Sequence, residues 1–277
     1  MKFADLHLHT VFSDGTYTPQ ELIRAASKAG LSAISVVDHD TVLGLSATEE
    51  ACLGSGIELV PGIELTAEFE GLEIHILGYF IDYKDPVFLK KLDFLKKSRI
   101  ERIHRITDKL KALGKTLEPQ EVFALAEKGT VGRLHVARAM LKKGLIGSIQ
   151  EAFQLYIGDK CPAYILGFRF SPREIIELVR KAGGVPVLAH PYSLGKDDLI
   201  AKFADYGLMG IEAYYSEHTA AMTKKYLEIA KSHNLLVTGG SDCHGSAKPE
   251  VKIGSIKIPY YLVEDLKTAS IKLGSGI

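Results

Sequence analysis

Six apolar, strand-like runs in this chain end on, or carry, a histidine or a carboxylate, and that recurrence restricts the folds open to it. Lys2–Leu6 leads into His7 and His9, Ala33–Val37 into His39, and Glu58–Glu64 closes on Glu64. Glu73–Phe80 carries His75, Val185–Ala189 leads into His190, and Leu235–Thr238 into Asp242 and His244. Amphipathic helix patterns lie between most of these runs, and a seventh run spans Gly210–Tyr214. Thr18-Pro19-Gln20-Glu21 and Ser171-Pro172-Arg173-Glu174 read as helix starts, with an N-cap, proline at the first helical position and an acid in the first turn; Gly30 and Gly183 read as the matching stops. Strand, helix, strand with short links implies parallel strands, hence a barrel or an open doubly wound sheet. In such folds the carboxyl ends of the strands share one face, so the imidazoles and carboxylates are expected to converge there.

From about Pro86 to Tyr156 the alternation stops, and only helical patterns appear, separated at Gly114, Gly129 and Gly144. That is too long for a crossover. The expectation is a helical insertion domain at 86–159 in a barrel made of residues 1–85 and 160–277. Overlapping its start, Lys84 to Lys115 holds eleven Lys or Arg against four acids, a net of +7, although the whole chain balances 34 basic against 34 acidic residues. The run is either a solvated helix face or a basic wall that draws a polyanionic substrate toward a nearby site. The overall balance carries no nucleic-acid-like footprint.

A chain of 277 residues buries a full core without covalent staples. Cys52, Cys161 and Cys243 are too few and too scattered for a disulfide framework or an all-cysteine zinc site, which points to a reducing cytoplasm. No signal-like N-terminus and no apolar run of spanning length is present, so a membrane partner is not expected.

A single buried histidine is most often a satisfied core residue. Many of them at strand ends, interleaved with carboxylates, would carry desolvation and repulsion costs of roughly several kcal/mol each without a cation. Divalent metal ions remove that penalty, and His, Asp and Glu without thiolate suit Zn, Mn or Fe, with carboxylates able to bridge. Cys243 lies between Asp242 and His244 and points away from both if the segment is extended. Asp38 and Asp40 flank His39; they either orient neighbouring ligands or, for Asp40, cap a helix starting near Thr41.

DLHLHTVFSDG, SVVDHDT, PGIE, the His75 strand, LAHP and GGSDCH, in that order from residue 5 to residue 244, resemble the motifs of the polymerase and histidinol phosphatase (PHP) superfamily. The resemblance implies an α/β fold, a distorted (β/α)7 barrel, with a trinuclear metal site that takes up two or three divalent ions, manganese foremost and iron or zinc as alternatives. It implies His7, His9, Glu64 and Asp242 as ligands of one metal, Glu64, His75 and His190 of a second with Glu64 bridging, and Asp14, His39 and His244 of a third. All nine positions hold the expected residue type.

The insertion sequence VGRLHVAR and Tyr214-Tyr215-Ser216-Glu217-His218 resemble one branch, the TrpH/YciV-like group, which contains nucleoside 3′,5′-bisphosphate phosphatases and the 5′ to 3′ exoribonuclease RNase AM. By that resemblance Arg133, His135 and His218 are substrate-side residues. Arg133 would stabilise phosphate charge, and His218 or His135 would be the general acid for a poor leaving group. From the residues alone, the three also suit surface or capping roles, since Arg133 and His135 share a helix face only at a frayed first turn. The implied activity is metal-dependent phosphoesterase action on the 3′-phosphate of nucleoside 3′,5′-bisphosphates, with trimming of short 5′-phosphorylated RNA. Two alternatives are a phosphatase for another small monoester such as histidinol phosphate, and a non-catalytic accessory or RNA-binding module. The expected partner is a nucleotide, another small phosphate ester or short RNA, with no obligate protein partner.

Overall fold

The computed structural model describes residues 2–126 and 129–275. In chain order it contains β1 (Phe3–Leu8), α1 (Pro19–Lys28), β2 (Ala33–Val36), α2 (Leu45–Cys52), β3 (Glu58–Phe69) and β4 (Leu72–Tyr79). Then come α3 (Pro86–Ala112), α4 (Pro119–Phe123), α5 (Arg133–Lys142), α6 (Ile149–Ala152) and a π-helical turn at Phe153–Ile157. The chain continues with α7 (Pro172–Lys181), β5 (Val185–Leu188), α8 (Asp198–Asp205), β6 (Gly210–Tyr215), α9 (Ala220–Ser232), β7 (Leu236–Gly240), β8 (Ile258–Pro259) and α10 (Tyr261–Gly274). The capping signals act as expected: Thr18 and Ser171 form reciprocal boxes with Glu21 and Glu174, with proline in the first turn of α1 and α7.

The eight strands follow the order β7-β6-β5-β4-β3-β2-β1-β8, so sequential strands lie side by side. The sheet nearly closes into a barrel where β7 meets β1: Asp242 N–H donates to the His7 carbonyl at 2.8 Å and His9 N–H to the Cys243 carbonyl at 3.1 Å. Gly240 permits this seam, because a Cβ there would lie 2.3 Å from the His7 nitrogen. At the other end of the strands, β8 pairs antiparallel with β1.

One expectation is corrected. The strands are not all parallel: β4 runs antiparallel to both β3 and β5. The cause is local, a tight Glu70-Gly71 turn in which both residues have positive φ, the conformation that joins hairpin strands. His75 therefore reaches the shared face from the first half of its strand, not the end.

Two bulges set which residues face inward. Ala4 and Leu6 belong to a core with Val37, Leu77, Tyr79, Val187 and, from α10, Leu262 and Leu266. Leu8 packs instead with Leu22 and Val36 in the core beneath the surrounding helices. The pairing of β1 with β2 slips between Asp5 and Leu8, and that of β6 with β7 between Glu212 and Tyr214. One extra residue reverses the facing of everything after it. Apolar residues thus fill one end of the barrel, and His7 and His9 occupy the other.

The helices after β4 form a core of their own, with Ile103, Ile106, Leu110, Val122, Val136 and Met140 joined by Ala163 and Ile165. The first half of α3 belongs elsewhere: Phe88, Leu92 and Leu95 pack into the helix-covered core of the barrel. No helix among the described residues is long and apolar enough to cross a membrane.

Candidate metal centre

Glu64 sits fully buried at the middle of the barrel mouth. Its Oε1 lies 2.8 Å from His75 Nδ1 and 3.0 Å from His190 Nε2. Its Oε2 lies 3.2 Å from His39 Nδ1, 3.3 Å from His7 Nε2 and 3.4 Å from His9 Nε2. Asp242 Oδ1 is 3.0 Å from His9 Nε2 and 3.4 Å from His7 Nε2. Asp14 approaches His244 at 3.3 Å and His39 at 3.8 Å. The fold therefore brings together all nine residues singled out from the sequence.

Donor atoms of eight of them form three groups within 4.8 Å, His9, Asp14, His39 and His244; His7, His9 and Asp242; and His39, Glu64 and His75, while His190 stands outside these groups with its Nε2 on Glu64. His9 and His39 each belong to two groups, so the sets are less separate than the sequence motifs suggest. Three residues near the mouth, Asp40, His190 and Asp242, hold positive φ without being glycine. Such strain persists where surrounding contacts over-determine it.

The residues fit divalent cations on an observation independent of any motif. His9 Nδ1 and Nε2, Asp14 Oδ1 and His39 Nδ1 are buried and make no hydrogen bond. Unpaired buried polar atoms are costly, and several together in a nest of imidazoles and carboxylates are explained by a cation. Electrostatics agrees. Burial would raise the pKa of Glu64, but the imidazoles of His39, His75 and His7 hold it well below the usual carboxylate range. Burial likewise opposes ionisation of Asp14 and Asp242, yet His244 and His39 around the first, and Lys248 and His244 around the second, keep both well below it. Burial drives His39 down to about 3 against the pull of Glu64 and Asp14. Burial would lower the pKa of His75, but Glu64 and Glu73 together push it up to about 9. Charged and neutral rings in contact mark positions where a metal ion would replace protons.

Partners behind these residues fix their orientation. His7 Nδ1 meets Glu212 Oε1 at 2.9 Å, leaving Nε2 toward the centre. His244 Nδ1 donates to the Asp242 carbonyl at 2.9 Å, and Tyr215 OH donates to Asp242 Oδ2 at 2.8 Å. Asp38 accepts from Thr10 N–H and from the Thr10 and Ser13 hydroxyls at 2.6–2.7 Å, pinning the loop that carries Asp14. Asp40 accepts from Thr66 N–H at 2.9 Å and pairs with Arg99 Nε at 2.6 Å. The capping alternative for Asp40 does not hold, since α2 begins at Leu45 with Gly44 as its N-cap. Cys243 is turned away from the cluster, its Sγ donating to the Val251 carbonyl at 3.2 Å.

Beside the cluster opens a cavity of about 840 Å³, walled by Asp14, His39, His75 and His244 on one side and by Arg99, Arg102, Arg133 and Phe153 of the helical segment on the other, with Lys248 also at its rim. Arg133 donates to Glu73 at 2.9 Å and Asp159 at 2.7 Å. Its neighbour His135 diverges at the first turn of α5: the ring is buried and its Nδ1 accepts the Gly132 N–H at 3.1 Å. Burial lowers its pKa to about 4. His218 packs among Tyr192, Tyr215 and Tyr226, with Nδ1 donating to the Ala213 carbonyl at 2.9 Å and Nε2 buried without a partner.

Several residues of the site escaped sequence reasoning. Glu212 left a readable signal, a carboxylate inside an apolar strand run. Arg99 and Arg102 were hidden in the basic run of α3, although they share its buried face with Leu95, Ile103 and Ile106. Arg169, buried 3.6 Å from Glu73, left no signal in its neighbourhood.

A PHP domain family model matches residues 5–238. The chain is 34% identical to a 5′-3′ exoribonuclease of Haemophilus influenzae over 87% of its own length and 89% of the relative's. It is 31% identical to a phosphoribosyl 1,2-cyclic phosphate 1,2-diphosphodiesterase of Eggerthella lenta, covering 87% and 94%. It is 28% identical to a 3′,5′-nucleoside bisphosphate phosphatase of Chromobacterium violaceum, covering 90% of each. A crystal structure from Bifidobacterium adolescentis, described as a metal-dependent phosphoesterase, superposes with a TM-score of 0.89 at 32% identity over 96% of this chain and 95% of the other. Motifs, barrel and relatives agree, and the chain belongs to the PHP domain family.

Proposed function

We propose that this protein is a metal-dependent phosphoesterase that removes the 3′-phosphate of nucleoside 3′,5′-bisphosphates, with 5′ to 3′ trimming of short RNA as a further activity. The observation that carries this reading is a cavity in which the His and carboxylate cluster faces Arg99, Arg102 and Arg133. Its size suits a nucleotide, since ligand pockets commonly span roughly 300–1,000 Å³. The bisphosphatase and exoribonuclease names of two relatives support the substrate class.

Two or three divalent ions fit the cluster, with Mn foremost and Fe or Zn as alternatives. His7, His9, Glu64 and Asp242 would hold one, Glu64, His75 and His190 a second, and Asp14, His39 and His244 a third. The bridging role of Glu64 is supported by its two oxygens, which face different sets of imidazoles. Bound ions of this kind supply Lewis acidity and lower the pKa of water toward neutrality.

The chain's own groups do the rest. Hydrolysis adds a water oxygen to phosphorus and releases the ribose 3′-oxygen with a proton. Arg133, its guanidinium already fixed by Glu73 and Asp159, is positioned to donate to non-bridging phosphate oxygens without reorganising. Lys248 is held against Asp242 at 3.0 Å and adds a second cation at the rim. The helical segment at 86–159 thus supplies the substrate-facing wall, and the barrel supplies the ligands. His135 and His218, substrate-side residues by the branch resemblance, are not among the residues that line the cavity.

The test is phosphate release from adenosine 3′,5′-bisphosphate, 3′-AMP, 5′-AMP, histidinol phosphate, a phosphoribosyl 1,2-cyclic phosphate and a 5′-phosphorylated oligonucleotide, the cyclic ester being scored after a coupling monoesterase. The bisphosphate should give the highest kcat/KM. A preference for histidinol phosphate or the cyclic ester would overturn the substrate assignment, and no turnover of any of them would favour a non-catalytic module.

A further inference from the structure

Outside the cavity, α3 presents a second surface that its packing does not explain. Phe88, Leu92 and Leu95 anchor the first half of the helix on the barrel. Val87, Lys90, Lys91 and Phe94, at helical spacing on another face, stay exposed. Phe168 comes up beside them, its ring centroid 4.9 Å from that of Phe94 and nearly perpendicular to it. Phe170 closes the group, 5.4 Å from Phe168, with Lys91 Nζ 5.2 Å from its centroid. Phe94 is 47% exposed and Phe168 51%, so two large rings remain open to solvent. They line, with Pro86, Val87, Lys90 and Lys91, a groove of about 570 Å³ that contains no acid.

The position of this groove connects it to the cavity. Arg169 turns inward toward Glu73, and Phe168, its neighbour in sequence, turns outward. Gly167 lies against Arg102, a cavity wall, closely enough that a Cβ there would sit 3.2 Å from Arg102 Cδ. The Ser98 hydroxyl holds the Phe168 carbonyl at 3.2 Å. One short segment therefore runs from the cavity wall to the exposed rings, and Phe94 and Arg102 are separated by roughly 12 Å along α3. Acids on the adjoining surface are engaged: Asp93 pairs with Lys97 at 2.7 Å, Glu177 with Lys181 at 3.8 Å, and Glu174 accepts from the Ser171 amide and hydroxyl at 2.8 Å.

We propose that Phe94 and Phe168, with Lys90 and Lys91, form a stacking platform for single-stranded nucleic acid, which holds the part of a polynucleotide that extends out of the cavity. Exposed rings interleaved with lysines are the chemistry that grips a strand without reading its sequence: bases stack on the rings, and ammonium groups track the phosphates. The proposal rests on the reading of the cavity as a nucleotide site, and extends it to a longer substrate. It also divides the basic run of α3 by role: Arg99 and Arg102 serve the cavity, and Lys90 and Lys91 serve the strand.

The experiment is fluorescence anisotropy of a labelled 5′-hydroxyl single-stranded RNA of about a dozen nucleotides, titrated with the metal-loaded protein, its Phe94→Ala/Phe168→Ala variant and its Lys90→Ala/Lys91→Ala variant. Turnover of adenosine 3′,5′-bisphosphate is measured in parallel. Loss of the rings should weaken RNA binding at least about tenfold, loss of the lysines should flatten its salt dependence, and neither should change mononucleotide turnover by more than about twofold. RNA affinity unchanged in both variants would overturn the platform, as would dimers in light scattering that dissociate when the rings are removed. A protein that turns over no nucleotide would sink the proposed activity instead, while the anisotropy titration would still read the surface.

Discussion

Glu212 Oε1 stands 2.9 Å from His7 Nδ1, and the other oxygen of the same carboxylate accepts the His190 N–H at 2.8 Å. One buried acid on β6 thus fixes a ring from β1 and the backbone that carries another ring after β5. Burial alone would depress the His7 pKa, but Glu212, Glu64 and Asp242 together raise it well above its ordinary value.

Glu212→Gln keeps the shape and removes that charge. Outer partners of metal-bound histidines are commonly worth about 10–100-fold in metal affinity or activity. Titrating the metal-stripped variant with Mn²⁺ should show a loss of that size, with the fold unchanged by circular dichroism. Wild-type affinity would show that Glu212 does not tune His7.

Asp14 approaches His244 and His39 from a loop, away from Asp242. Asp14→Ala should therefore lower the bound-metal content by about one ion while His7, His9 and Asp242 retain theirs. Elemental analysis of the purified variant measures this directly. Loss of every ion at once would show that the groups sharing His9 and His39 act as a single unit.

The barrel and its cluster were legible because their signals are local and repeated. Apolar runs, proline-started helices and a ligand at nearly every strand end need no knowledge of the tertiary fold. The reversal of β4 was less visible, because the Glu70-Gly71 turn is only two residues long and His75 sits in a strand of ordinary composition. The bulge in β1 was hidden as well: period two from Ala4 and Leu6 predicts the opposite face for His7, and only pairing with β2 shows where the phase changes. Arg99 illustrates the third limit. Its side chain crosses from α3 to Asp40 beside β2, a contact between residues 59 apart that no local pattern encodes.

His135 supplies a pH signature of stability. Its buried ring stays neutral in the folded chain down to about pH 4, whereas an unfolded histidine protonates near 6.5. As pH falls the unfolded state takes up that proton first, so the linked stability is present above about 6.5 and is lost progressively toward 4. His135→Asn retains an acceptor for the Gly132 N–H and removes the titration. In urea unfolding of metal-stripped protein, the advantage of wild type over this variant should shrink by roughly 3 kcal/mol across the window. Asp5, raised by burial to about 6, works in the opposite sense over part of that range, so the comparison must be made against the variant. A constant difference would remove the assignment.

His218 tests the proton supply to the leaving group. Its Nδ1–H is committed to the Ala213 carbonyl, and burial lowers its pKa, so Nε2 holds no proton to give in the resting state. His218→Asn should then reduce turnover of an alkyl phosphate and of p-nitrophenyl phosphate by similar factors. A much larger loss on the alkyl ester, whose leaving group needs a proton, would make His218 the general acid.

The central claim is that the cluster around Glu64 holds the ions with which this chain cleaves a nucleotide 3′-phosphate. Phosphate release from adenosine 3′,5′-bisphosphate, with the nucleotide product identified by chromatography, tests it before chelation, after stripping and after Mn²⁺ is restored. The expected result is 5′-AMP as product, at least a hundredfold slower release after stripping by the measure of metal-assisted hydrolysis, and recovery on restoration. Hydrolysis that survives stripping, or 3′-AMP as the product, would contradict the claim.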